Sequence, residues 1–363
     1  MTHNSMTPAL PDYAVSPGDF IQEWLDENGV NAAELARRLD VTPKHVSELL
    51  SGKAPLSASL SIALERVTGT PARLWNRTEA IYREDLARLA ECEKLEAQYD
   101  EAKLFPLSYL RKFGFLTATA KDKVGTVREL LQLLRIGDLG AVEATWLNPK
   151  VAYRKTKLNT DKSYEQAMWL ALGEHAAGSE ELPDFDREGL ERLIPKLRSL
   201  TAEPNPVESL DKVKELLNEV GVAFALIPPI PGFGVYGATR WIAEHPLVQL
   251  SVRGKSDDQL WFTLFHELGH VLLHGHKTLF VQGGEGKEED EADNFASRTL
   301  IPQEFVHRIP TSRNLAAVQE LADELGIAPS IVLGQAQRIT KDYQWGHSLK
   351  VKLEWRSASE KAA

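Results

Sequence analysis

Phe265-His266-Glu267-Leu268-Gly269-His270 is an HExxH stretch, and its reading decides what the C-terminal part of this 363-residue chain is built around. Residues four apart lie on one face of a helix, so His266 and His270 can turn both imidazoles toward one metal ion. Glu267 sits beside them, where a general base for a metal-activated water belongs. The flanks Trp261-Phe262-Thr263-Leu264-Phe265 and Val271-Leu272-Leu273 are apolar, which suits a buried helix that excludes bulk water. The same pattern describes a core helix with two incidental histidines. With only 10 histidines in the chain that reading is weak, and a second signal weakens it further.

A zinc ion held for hydrolysis takes three protein ligands and keeps a fourth position open for water. The third ligand is expected from another element, often as a carboxylate. Residues 288–296 open a helical pattern with Phe295, Ala296 and Leu300 on one side. Glu289 and Asp293 are four apart and share a face. One carboxylate can therefore reach the metal while the other orients a ligand histidine through its second ring nitrogen. Glu289 is the favoured ligand and Glu291 the alternative, with Asp293 behind the histidine. Glu288 and Asp290 read as a solvated helix start, where carboxylates meet the positive end of the helix dipole. His274 repeats the four-residue step. A rigid helix cannot easily aim three such residues at one tetrahedral ion, so His274 reads as a packing residue or a support behind the ligands. His276 and His307 have no spacing argument behind them.

Taken together, HELGHVLLH from residue 266 and EDEADNFASRTLIP from residue 289 resemble the ImmA/IrrE family of metallopeptidases. Members pair HExxH with a downstream E-x-x-A-[DN]-x-F-A helix and a following L-[IM]-P, and the resemblance covers residues 205–340. It implies a gluzincin-like fold holding Zn2+ on His266, His270 and Glu289, with Glu267 as the base.

Hydrophobic residues make up 43% of the chain and charged ones 26%, as expected of a globular protein of two or three domains. The single cysteine, Cys92, excludes an internal disulfide framework and a cysteine-based zinc site. A net charge of −10 argues against a general nucleic-acid-coating protein. No apolar run is long enough for a membrane span and no targeting segment is evident, so the cytoplasm is the expected compartment.

Residues 18–75 read as short helices. The first covers residues 19–28, with Phe20, Ile21, Trp24 and Leu25 inward, and Gly29 stops it. Asn31 caps the second, Asp40-Val41 is a tight turn, and Thr42 with Pro43 opens a third that runs to Leu50. This is a helix-turn-helix pattern. The segments 33–39 and 41–53 resemble the Cro/C1-type (XRE) DNA-binding domain, and the continuation Gly69-Thr70-Pro71-Ala72-Arg73-Leu74-Trp75 is similar to its HigA antitoxin branch. The resemblance implies a recognition helix from Pro43 in the major groove of operator DNA. Lys44, His45, Ser47 and Glu48 would face base edges, with Arg38, Ser51 and Lys53 nearer the phosphates. Up to Trp75, however, six basic residues stand against nine acidic ones, a balance of −3. One copy should bind DNA weakly, and a homodimer on a two-fold operator is expected to compensate.

Residues 79–103 form a charged helical stretch, a connector or dimer strut, and residues 104–200 look mostly helical with turns near 137–140 and 148–149. A helix over 211–220 ends at Gly221, and residues 222–227 are a strand. Gly232-Phe233-Gly234-Val235-Tyr236-Gly237 matches G-x-G-x-x-G, but no helix starts at the last glycine, so a hairpin is expected instead of a dinucleotide site. Residues 238–243 and a half-buried strand over 247–252 complete a small sheet whose exposed edge could hold an extended peptide. Residues 315–325 and 329–339 resemble a second helix-turn-helix, taken as packing for the zinc domain, and 349–355 reads as a short strand.

The expected architecture is mainly α with a small β-sheet (α+β). It comprises a helix-turn-helix domain at 15–80, a helical connector at 81–200, a gluzincin-like zinc domain at 201–345 and a tail at 346–363. The leading function is a DNA-binding regulator or antitoxin-like protein whose zinc metallopeptidase domain cleaves a protein partner. The alternative is a non-catalytic regulator whose zinc domain senses a signal or docks a toxin.

Overall fold

The computed structural model describes residues 13–147, 162–178, 181–274, 280–281 and 286–356. The turn expected near 148–149 and His276 lie outside the described residues. The chain divides into two compact units, Met1–Gln98 and Tyr99–Ala363, so the interval 81–200 is shared between them.

In the first unit α1 (Pro17–Asn28) starts at a capping box. Asp19 N donates to Ser16 Oγ at 3.2 Å and Ser16 N donates to Asp19 Oδ2 at 2.8 Å. Asn31 caps α2 (Ala32–Leu39), and Asp40 takes a left-handed φ of 56° to turn the chain. Thr42 then caps α3 (Pro43–Leu50), and α4 (Ala58–Thr68) and α5 (Ala72–Ala97) follow. Ile21, Leu25, Leu35, Val46, Leu49, Leu64 and Trp75 form this unit's core. Phe20, expected inward, is 45% exposed. The buried stripe of α1 runs through Ile21 and Leu25, and a residue one step off such a stripe is turned about 100° away.

In the second unit α6 (Tyr99–Ala102), α7 (Leu107–Lys112), α8 (Lys123–Leu134), α9 (Ser163–Ala177), α10 (Arg187–Ser199) and α11 (Pro206–Glu219) precede β1 (Ala223–Leu226), β2 (Gly237–Ile242) and β3 (His245–Leu250). Next come α12 (Asp257–Leu273), β4 (Phe280–Val281), α13 (Lys287–Leu300), α14 (Leu315–Leu325) and α15 (Pro329–Thr340). The strand order is β1-β3-β2-β4. β3 runs parallel to β1, with Phe224 opposite Val248, and antiparallel to β2, with Thr239 opposite Val248. β4 pairs antiparallel with β2 and sets Phe280 opposite Thr239.

Two strand expectations are corrected. The glycines of 232–237 do not make a hairpin, because β3 lies between β1 and β2; the tight hairpin joins β2 to β3 at Ala243, whose φ is 52°. Nor is β3 half-buried, since helices cover both faces. Val248 and Leu250 join the main core with Leu264 and Leu268, whereas Leu247 packs with Ala223, Ala225 and Ala177. Gln249 is on the same face as Leu247, and its Nε2 donates to the Trp169 carbonyl at 2.6 Å inside the second layer.

Val318 and Leu321 of α14 and Ile331 and Val332 of α15 belong to the same core as α12. Residues 349–355 give only an isolated bridge, Lys352 opposite Ser256, and Leu353 packs into the core. Among the described residues no helix is long and apolar enough to cross a membrane. The fold is mainly α with a small sheet, an α+β arrangement.

Candidate metal centre and nucleic-acid interface

His266, Glu267 and His270 lie on the buried middle of α12 and are 2%, 0% and 1% exposed. The two histidine Nε2 atoms are 3.1 Å apart. Glu289, reaching over from α13, sets Oε2 3.4 Å from His266 Nε2 and Oε1 3.5 Å from His270 Nε2. Three donors about 2.1 Å from a tetrahedral zinc ion stand about 3.4 Å from one another. One ligand atom from each of His266, His270 and Glu289 lies within 4.8 Å of the others, and each Glu289 oxygen is near that tetrahedral spacing from one histidine. The helices come this close because Gly269 faces α13. A Cβ there would lie 3.1 Å from Phe295 Cδ1 and 3.2 Å from Ala292 Cα.

The far side of each imidazole is also engaged. His266 Nδ1 is 2.8 Å from Asp293 Oδ1. His270 Nδ1 is 3.0 Å from His274 Nδ1, and His274 Nε2 is 3.1 Å from Glu291 Oε2. Glu291, the alternative ligand in the sequence, thus turns its carboxylate to His274 and to Lys287, 3.1 Å away. Phe280 stacks on His270 with centroids 4.0 Å apart.

Thr239 Oγ1 lies 2.7 Å from Glu267 Oε2, and Glu267 Oε1 is buried without a hydrogen-bond partner among the described residues. Burial pushes the Glu267 carboxyl up to about 8, against the pull of His266 and Thr239. Burial, aided by His266 and His274, lowers His270 to about 2. Burial also acts to lower His266, but the hydrogen bonds its protonated ring donates to Asp293 and Glu289, with the Glu267 charge, outweigh it and raise His266 to about 10. Without a metal His266 and Glu267 therefore keep their protons at neutral pH, while His270 is neutral. A divalent ion supplies that positive charge instead, so the donor set fits a metal.

In the first unit α3 exposes Lys44 and Ser47 beside half-buried His45 and Glu48. Ser51 and Lys53 follow at its C-terminal end, also exposed, and Arg38 is exposed on α2. Two of these cations already have acidic neighbours: Arg38 Nε is 3.0 Å from Glu34 and Lys44 Nζ is 3.8 Å from Glu48.

The IrrE N-terminal-like domain of the Peptidase_M78 family matches residues 226–333, and the helix-turn-helix family HTH_3 matches residues 21–75. This chain is an XRE-type helix-turn-helix protein fused to an IrrE/ImmA-like peptidase-family domain. Over 78 residues it is 40% identical to the "Uncharacterized HTH-type transcriptional regulator YddM" of Escherichia coli (strain K12), covering 22% of this chain and 78% of that protein. It is 36% identical over 87 residues to "Virulence-associated protein A'" of Dichelobacter nodosus, covering 24% of this chain and 74% of the relative. It is also 30% identical over 82 residues to "Virulence-associated protein I" of the same organism, covering 22% and 73%. The relatives thus span about a quarter of the chain.

In the IrrE-like domain the sequence reading missed Thr239, Gly237 and Phe280. The first two face α12 as alternate residues of β2, and a Cβ at Gly237 would sit 2.5 Å from Glu267 Oε1. Gly237 carried a signal as the last glycine of 232–237, but spacing alone does not say which helix it faces. The same face of α12 carries Phe262 and Thr263 one turn before the histidines. They line a cavity of about 280 Å³ with Tyr236, Leu300, Ile331 and Arg338. The Phe262 ring is 6.4 Å from that of His266.

Proposed function

We propose that this chain is a DNA-binding regulator whose IrrE-like domain binds Zn2+ through His266, His270 and Glu289 and cleaves a peptide bond in a protein partner. The observation that carries this reading is the convergence of His266, His270 and Glu289, with one ligand atom of each within 4.8 Å of the others, beside a fully buried Glu267. Zinc bound there would polarise a carbonyl and make a water acidic enough to attack near neutral pH. Glu267 is the base. Thr239 holds Oε2, and Oε1, unpartnered among the described residues, takes the proton and later delivers it to the leaving amine. Asp293 holds His266 from behind. The cavity one turn along α12 receives a side chain of the substrate.

In the helix-turn-helix domain, α3 enters the major groove with Lys44, His45, Ser47 and Glu48, while Arg38, Ser51 and Lys53 approach phosphates. The acidic balance of this domain favours binding as a homodimer, and the substrate class is a repressor, antitoxin or toxin partner of the same cytoplasmic circuit. Zinc content by elemental mass spectrometry tests the centre. One zinc per chain, lost in Glu289→Gln and kept in Glu291→Gln and Glu267→Gln, is expected. A wild-type chain that takes up no zinc after reconstitution would sink the peptidase and leave a regulator that senses or docks.

A further inference from the structure

Behind His270 lies a row of polar groups that the proposed hydrolysis does not use. It runs from His270 Nδ1 to His274 Nδ1 at 3.0 Å, and from His274 Nε2 to Glu291 Oε2 at 3.1 Å. The His274 side chain is 9% exposed and that of Glu291 41%, so the row leads from the buried ligand to the surface. Phe280 lies against both rings, with centroids 4.0 Å from His270 and 5.2 Å from His274, and shields the bond between them.

One arrangement of hydrogens satisfies this row and leaves a metal ligand. His270 Nε2 faces Glu289 and His266, so a ligand lone pair must lie there and the ring hydrogen on Nδ1. Two Nδ1 atoms at hydrogen-bond distance share one hydrogen, so His274 Nδ1 accepts. The hydrogen of His274 then sits on Nε2, where the Glu291 carboxylate accepts it in a charge-assisted bond. In the reverse arrangement His274 Nε2 would set a lone pair against a carboxylate. The hydrogen of His270 would also point into the donor cluster, where it blocks a metal.

We propose that His274 and Glu291 are positioning residues that hold His270 in its metal-binding tautomer before any metal arrives. This rests on His270 being a ligand. His266 is held directly by Asp293, whereas the hold on His270 passes through a second imidazole and ends at a half-exposed carboxylate.

The test uses the full-length chain. In the metal-free protein, long-range 1H–15N correlation of labelled histidines should already place hydrogen on Nδ1 of His270 and on Nε2 of His274; hydrogen on Nδ1 of His274 overturns the proposal. Zinc affinity, by competition with a chromophoric chelator, should weaken about 10–100-fold in His274→Leu. It should recover in His274→Asn, whose side-chain oxygen can take the acceptor position. Glu291→Leu should weaken zinc alone and add little in the His274→Leu background. Because Glu291 is half exposed, this variant reads the effect even if His274→Leu fails to fold. Unchanged zinc affinity in Glu291→Leu and His274→Leu overturns the proposal while leaving the zinc centre intact. A wild-type protein without zinc removes the ligand role of His270 itself, a separate failure.

Discussion

Glu267 is a carboxyl with one oxygen held by Thr239 and the other unpartnered among the described residues, and its surroundings leave no room for change. A methyl group at Gly237 would stand 2.5 Å from Oε1 and 2.7 Å from Thr263 Cγ2. We expect Gly237→Ala to lower peptide hydrolysis by about 100-fold or more, on the scale of a displaced catalytic group, with zinc content unchanged. Zinc lost in step with activity would instead assign Gly237 to the ligand frame. The titrating groups give a second expectation for the metal-free protein. Folded Glu267 keeps its proton up to about 8, against 4.5 when unperturbed, and His266 keeps its proton up to about 10, against 6.5. Between pH 6.5 and 8 the folded state therefore holds protons that the unfolded chain has released, and stability falls as pH rises. Melting temperatures measured in chelator across that window should decline, with a shallower slope in Glu267→Gln. The i,i+4 spacings made His266, His270, Glu289 and Asp293 legible as a group in the sequence. Thr239 and Phe280 were not, because they reach the site through strand pairing, which residue spacing does not encode.

Helices α12 and α13 form the frame of the site, and their separation is set where Gly269 meets Ala292 and Phe295. Gly269→Val should push them apart, cost about 1–3 kcal/mol of stability and weaken zinc, because Glu289 and Asp293 both ride on α13. Chelator competition alongside urea unfolding checks this, and unchanged zinc affinity would mean that the helix pair tolerates the larger spacing. The helices were readable because caps and apolar periodicity are local: Asn31 and Thr42 each start the helix that follows, whereas the Ser16 cap, ahead of the expected start at residue 19, was not read. The strands were read less well. Alternation at 247–252 suggested one wet face, but the second helical layer that buries Gln249 comes from about 80 residues earlier in the chain. The insertion of β3 between β1 and β2 is likewise a long-range choice that no turn motif at 232–237 announced.

Across the whole molecule, each compact unit carries its own core. Calorimetry of the intact protein should therefore resolve two transitions, with added zinc raising only the one that belongs to Tyr99–Ala363. The stabilisation should be about 4 kcal/mol at a thousandfold excess over Kd. A single transition that moves as a whole would show that the units unfold together. The other unit should bind operator DNA with steep salt dependence, and Lys53→Ala should reduce the slope of log affinity against log salt by about one. All three candidate ligands fall within residues 266–289. An ion seated there closes a short loop, and loop-closure entropy grows only slowly with length. It is a clasp on one helical hairpin and not a cord around the domain, whose apolar core gathers side chains from Leu190 to Leu353. The core should stand without the ion, so a folded, metal-free form is expected to persist, and under the proposed function it is armed whenever zinc becomes available.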